Sequence, residues 1–503
     1  MARGDARTDV ELVEDDDDAT TAPGGATPQP PAARASGADD EHSPATRRRA
    51  LVIGAALLAV LTVVAVVGQS VVASRERTRT AALADVPGLV DAVDGPVRVL
   101  RSGPDDGLLR STDRTPAGLL VGSRGEADGA ESVVAVDPAD GTVVWRTELL
   151  AAGPTVYVPP GGQSVPTSGQ CRPSGQDGAL LVCLADDGVA LLGRGTLTQV
   201  APARTRLVVL DARDGAVVSD LTDAVGEPLV ARSVAVVDDL VVLVGAGGPS
   251  AYVRAVRADG TVAWQDEFPS TTTTAYGSQV RLDALPGGVA VATRSTLRLL
   301  DATGAVQQEV PLRSDDRVRG TAGDAVVVEA PGEGTVVVRA RGVVRVPGRW
   351  VQLDVDDGTA PGLLLTADDT GVRAWSPDGT RRWASDVRVA GSRALVLDGR
   401  VVLGSGTAVV ALDAATGDRS WRTGDVQPRP GLATDGRYVF VLGEGGDAPT
   451  RVVALDAAAG GAAWRVDLPQ PVDRLVAVLG VLTAFSFDDL DAGDGLRRVT
   501  VLG

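Results

Sequence analysis

Few residues in this 503-residue chain are of a type that does chemistry. The single histidine, His42, sits in a polar N-terminal stretch. That excludes Ser-His-Asp triads, His-ligated zinc and a histidine general base from any folded core. The two cysteines, Cys171 and Cys183, lie in GQCRPSGQDGALLVC, which reads as an irregular segment. An oxidised pair at this spacing would close a loop and contribute roughly 3 kcal/mol. It would also place the segment outside the cytosol, where disulfides persist. Two unrelated buried thiols are the alternative. Asp489, Asp491 and Asp494 in DDLDAGDG resemble the oxygen-rich turns that bind calcium. An EF-hand loop, however, wants an acidic residue where Thr500 stands. A solvated hairpin loop is the simpler reading. TTTT at 271–274 reads as an exposed or edge strand, and GGQSVPTSGQ as a surface loop without phosphate-loop spacing.

The elements that would have to position any site are short and numerous. Hydrophobic residues make up 44% and aromatics 3%, so a core must be built from Val, Leu and Ala. Sixty-one Gly and 30 Pro suit many short strands joined by turns. The length allows two or three ordinary domains or one large repeat architecture. A net charge of −18 without any basic stripe argues against nucleic acid. All 48 basic residues are Arg, a composition bias rather than a functional signal.

Residues 1–49 are expected to be a disordered acidic tail. The first 46 carry a net charge of about −8 and too little apolar area to offset chain ordering. A docking tail and a solvated spacer both fit. Residues 50–73 then read ALVIGAALLAVLTVVAVVGQSVVA. An apolar run of about 20 residues matches the hydrocarbon thickness and must be helical in lipid. A cleaved signal peptide ending near Ala73 is the alternative. Arg47, Arg48 and Arg49 form a contiguous triplet. They favour a cytoplasmic N-terminus over the flank carrying Arg75, Arg77 and Arg79, which Glu76 dilutes. Residues 74–94 are expected to be a linker.

From 95 onward one phrase recurs. VVALDAATGDRSW and VVALDAAAGGAAW show it most clearly, after AVDPADGTVVW earlier in the chain. The tryptophan position falls at Trp145, Trp264, Trp383, Trp421 and Trp464, with Ser219, Gln308 and roughly Arg345 in degenerate copies. The spacing of roughly 40 residues indicates a repeat architecture. Each copy reads as a β-hairpin: an apolar strand, an Asp- and Gly-bearing turn, then a second strand with the Trp. Another apolar strand precedes each hairpin. Units of three or four strands are too small to stand alone. Arranged radially, they would bury each other's faces as a β-propeller. A flat indole at the same place in each unit would wedge between neighbouring blades.

The pattern A-x-D-x-x-T-G-x-x-x-W resembles the tryptophan-docking repeat of the PQQ-like, quinoprotein alcohol dehydrogenase-like and BamB-like propellers. The resemblance covers roughly 115–503. It implies about eight four-stranded blades over residues 95–503, with the early segment GPVRVLR at 95–101 a candidate for the strand that seals the ring. The family includes PQQ-dependent dehydrogenases and non-enzymatic propellers. In the enzymes, the resemblance implies PQQ between a tryptophan and an adjacent-cysteine disulfide, beside calcium held partly by Asn. This chain has no adjacent cysteines and no Asn. The expected function is therefore a non-catalytic, membrane-anchored extracytoplasmic scaffold without a cofactor, probing an envelope protein or cell-wall polymer, with a monomeric propeller. The alternative is a PQQ- or metal-dependent enzyme with a site in the propeller channel.

Overall fold

The computed structural model describes residues 83 and 86–503 apart from short internal stretches, the longest being 104–110, 154–162, 270–279, 444–449 and 488–495. The acidic tail, the apolar run at 50–73, the threonines at 271–274 and the aspartates 489, 491 and 494 lie outside the described residues. Among the described residues no helix is long and apolar enough to cross a membrane. The chain divides into units 1–74 and 75–503, and the described residues of the second are all-β apart from the helical Leu83 and one helical turn at Thr222–Val225.

Its strands form successive antiparallel sheets in sequence order. Ser111–Arg114, Leu120–Gly125, Glu131–Val136 and Val143–Leu150 make the first sheet. Four-stranded sheets follow over 170–220, 230–269, 281–311, 317–346 and 433–467. Between the last two lies an eight-stranded sheet. It consists of two such units, 349–385 and 393–423, joined because Arg349–Asp356 pairs in parallel with Arg393–Leu397. The final sheet takes three strands from 474–502 and its fourth from Val99–Gly103, with Val99 opposite Leu502 and Gly103 opposite Val499. The early segment thus does pair with the end of the chain. A three-stranded sheet, Gln163–Pro166 with Val189–Gly193 and Thr196–Val200, is an insertion beside the second unit.

Each of these nine units packs on the next through its own apolar cluster. Val133, Leu149 and Leu181 belong to the cluster between the first and second units. Val242, Val253 and Val291 do the same between the third and fourth. The last cluster joins Leu120 and Val134 of the first unit to Val481 and Val501 of the final one, which closes the circuit. First strands of neighbouring units touch, as Val230–Val237 does with Gln170–Ser174 and with Arg281–Leu285, which makes them the inner strands. Strand direction then fixes two faces. One carries the turns after the first and third strands. The other carries the turns after the second strands and the connections between units.

The recurring phrase is explained residue by residue. In VVALDAATGDRSW, Ala411 lies directly across from Trp421, and a bulge follows between Ala411 and Leu412. The same Ala–Trp pairing and bulge recur at Ala135/Trp145, Ala255/Trp264, Ala374/Trp383 and Ala454/Trp464. A bulge re-aims one side chain, and a small partner leaves room for the indole. Asp413 Oδ1 accepts the N–H groups of Ala415 and Thr416, which shapes the turn.

The indole then reaches the next unit. Trp145, Trp264, Trp383 and Trp421 donate their Nε1–H to the carbonyls of Ala212, Ala302, Ala414 and Ala457, at 3.3, 2.9, 2.8 and 3.1 Å. Each acceptor lies in the following unit's turn. The ring lies over that turn's glycine. At Gly417, with φ +79°, a Cβ would come within 2.7 Å of the Trp383 ring. The glycine is required twice, for its left-handed backbone and for the indole above it. Where the phrase is degenerate, Leu221 and Val344 stand beside Gly260 and Gly379 instead. Trp464 differs. The final unit takes its fourth strand from Val99–Gly103, so no hairpin turn follows to meet the indole. Its Nε1–H is buried without a partner, and the ring packs against Tyr438 and Phe440.

Residues 86–94 are not a free linker. Val90 and Val93 are buried in the cluster between the last two units. Val90 N–H donates to Thr434 O and Asp91 N–H to Gly480 O, while the Asp91 carboxylate takes a two-pronged bond from Arg114. The reason is apolar: VPGLVDAV offers valines and a leucine that bury against first-strand turns.

Trp421→Ala is expected to lower unfolding stability by about 3–5 kcal/mol in denaturant titration, through lost packing and the cavity left behind. Trp421→Phe should cost less, since it keeps an aromatic ring over Gly460 and loses chiefly the hydrogen bond.

Candidate functional site

Cys171 and Cys183 are joined as a disulfide. The segment read as irregular is a strand pair, Gln170–Ser174 with Leu180–Asp186, and the two cysteines face each other across it. Gly175 and Gly178, both with positive φ, allow the tight reversal between them. Both sulfur-bearing residues are fully buried in the cluster between the first two units. The five tryptophans of the repeat occupy equivalent places in their units, between sheets rather than around one cavity.

Two carboxyl groups near the bridge are perturbed. Glu131, 4% exposed, opens the third strand of the first unit. It accepts hydrogen bonds from the Ser123 hydroxyl and the Gly169 N–H, and so ties the first unit to the lead-in of the second. Burial pushes its carboxyl up to about 7, against those bonds, and nearby Asp186 adds to the rise. Asp113, on the first strand of the first unit, is raised by burial to about 6, with Arg172 pulling the other way.

Two recesses open where the fourth and fifth units meet. The larger, about 440 Å³, is lined by Arg281, Arg294 and Arg317 together with Thr293, Ser314 and Leu312. The smaller, about 340 Å³, lies across the 312–316 connection and includes Arg313, Glu333 and Arg345. Arg281 is braced by Asp283, with Nε to Oδ2 at 2.6 Å, and donates to Val318 O on the neighbouring first strand. Arg317 donates to the carbonyls of Ser314 and Asp316.

Sequence reasoning missed these arginines, although a signal existed. Four first strands carry an Arg six residues before the glycine of their turn: Arg281 and Gly287, Arg317 and Gly323, Arg393 and Gly399, Arg474 and Gly480. The shared register places them at one level of the ring. Arg349 likewise opens its first strand. Arg393 pairs with Asp354 at 2.6 Å. Burial raises the Asp354 carboxyl, and Arg393 and Arg474 both oppose that rise, so the two arginines converge on it from different units.

The residues do not fit a PQQ site of the kind the resemblance implies. The one disulfide is enclosed in a sheet-to-sheet core, with both cysteines at 0% exposure, and cannot cover a planar cofactor. Trp145, Trp264, Trp383 and Trp421 have their ring faces over turn glycines. Among the described residues no group of three or more His, Cys, Asp or Glu side chains is placed to hold a metal ion.

The fold and its repeat define a β-propeller of PQQ-like repeats. A family model described as outer membrane protein assembly factor BamB matches residues 129–360 and 405–489, more than half of the chain, and the chain belongs to that family. Among solved structures, BamB from Moraxella catarrhalis is 17% identical, covering 81% of this chain and 98% of its own, with a TM-score of 0.38. The quinohemoprotein alcohol dehydrogenase ADHIIG from Pseudomonas putida HK5 is 13% identical, covering 81% and 76%, with a TM-score of 0.39. That from Comamonas testosteroni is 14% identical, covering 82% and 78%, with a TM-score of 0.36. A search of curated proteins finds no match.

The Glu131 carboxyl sets a pH dependence. The fold binds its proton more tightly than the unfolded chain does, from an ordinary 4.5 up to about 7. Its contribution is therefore fully present below the ordinary value and is lost as pH rises through 7. The full effect is about 3 kcal/mol. Glu131→Gln should flatten this decline and raise Tm above pH 7, as read by thermal unfolding across pH. Separately, Cys171→Ala with Cys183→Ala should cost about 3 kcal/mol in urea titration under non-reducing conditions.

Proposed function

We propose that the chain is a non-catalytic, membrane-anchored propeller that works outside the cytoplasmic membrane as a scaffold for an envelope protein. In this reading the nine units are nine blades, one more than the eight repeats of the phrase, because the strand at Val99–Gly103 completes a blade without a hairpin of its own. The repeat tryptophans serve as blade-docking residues. The run at 50–73 is the anchor, with the acidic tail on the cytoplasmic side.

The observation that carries the reading is the chain's membership of a family named for an assembly factor. Three features support it. Of the side chains best suited to chemistry, the cysteine pair staples two strands of one sheet and the buried Glu131 ties the first unit to the second. The buried disulfide suits an oxidising compartment. The connections between units, including the inserted sheet, vary from one unit to the next on a rigid frame, which suits recognition.

Photocrosslinking in cells provides the test. A photoreactive residue at Ser314, on the connection face, is expected to capture a discrete envelope protein. The same residue at Val218, 58% exposed beside a motif turn, should capture it far less. Equal, diffuse labelling from both positions would contradict a scaffold with one working face.

A further inference from the structure

We propose that the arginine-bearing mouth of the central ring, on the face where units connect, binds an acidic peptide segment of the partner protein. The proposal rests on the scaffold reading and names the chemistry of its ligand. Five arginines open five first strands: Arg281, Arg317, Arg349, Arg393 and Arg474. Arg281, Arg317, Arg393 and Arg474 each lie six residues before their turn glycine and so at one level of the ring, and Arg349 stands further out, since Gln352 of its strand is the residue opposite Arg393.

Charge bookkeeping isolates this mouth from the rest of the molecule. The chain as a whole carries −18. Arg317 and Arg349 form no ion pair among the described residues, whereas Arg281 and Arg393 are braced by Asp283 and Asp354, and Arg474 also acts on Asp354. Arg474 Nε is buried without a hydrogen-bond partner. Positive charge that a protein leaves unpaired amid its own excess of carboxylates selects for an anion and speeds its approach. Guanidinium forks also match carboxylates in two-pronged geometry.

The surroundings favour a peptide over a phosphate polymer. Ala292, Leu312 and Val318 line the larger recess beside Arg281 and Arg317. Glutamate methylenes can bury against such a floor, and a phosphate chain has nothing to place there. The other end of the ring is engaged already. Residues 86–94 bond to the first-strand turns of the last two units and, through Asp91, to Arg114 of the first. A ligand would therefore enter from the arginine side.

The test uses the full chain in detergent with a fluorescein-labelled oligoglutamate peptide at low salt, followed by fluorescence anisotropy. Oligoglutamine and polyphosphate of matched charge are the comparators. Wild type should bind oligoglutamate, with affinity falling as salt rises. Arg317→Gln with Arg349→Gln should weaken binding on the order of tenfold, about 1.4 kcal/mol. Arg474→Gln should weaken it also, and Tm reports whether each variant is folded. Arg213→Gln, exposed on the opposite face, should change nothing. Failure of wild type to bind oligoglutamate, or equal binding by the double variant, overturns the proposal. Stronger binding of polyphosphate than of oligoglutamate overturns the peptide assignment. If Ser314 captures an envelope protein while oligoglutamate does not bind, the scaffold reading stands and the arginine assignment falls.

Discussion

The structure depends on one repeated contact, an indole lying over the glycine turn of the next unit. It couples two sequence features about 40 residues apart. The turn must be shaped by its Asp and reversed at its Gly, and the glycine must lack a side chain because the ring occupies that space. The indole must be aimed outward, which the bulge opposite a small Ala achieves. None of these features stabilises much alone. Together they make each unit's outer hairpin part of its neighbour's surface. A chain with only 3% aromatics thus concentrates them where large, rigid area matters most.

A ring built this way has to end where it began. The closing unit borrows Val99–Gly103 from the start of the chain, so the last sheet cannot complete itself without the first ordered strand. Residues 86–94 reinforce the joint on one face. Glu131 reinforces the junction of the first two units, and the disulfide staples two strands of the second beside it. These devices spend the reactive residues on rigidity. What remains for recognition is the opposite face, where connections differ between units and arginines open several first strands.

Much of this was legible in the sequence for a physical reason. The hairpin phrase carries both its local turn chemistry and its long-range partner, so its recurrence alone reveals the units. GPVRVLR was readable as a stray strand because one unit lacked its fourth. The cysteine segment was misread because a Pro and three Gly suggest a loop, while the buried pairing that makes it a strand is tertiary. The valines of VPGLVDAV read as linker because their partners lie on distant turns. The arginines were invisible to a search for conventional motifs. Their signal is a fixed distance to the turn glycine, which acquires meaning only once the first strands are known to meet at one centre. Glu131 gave no sign at all, since its burial comes from a neighbouring unit.

The claim that this ring works as a scaffold outside the cytoplasmic membrane is tested most directly by the redox state of Cys171 and Cys183 in living cells. Acid quenching followed by denaturation and alkylation counts free thiols before and after reduction. The account predicts no alkylation until a reductant is added, with both cysteines modified thereafter. Two thiols alkylated without reduction would contradict it and place the ring in a reducing compartment.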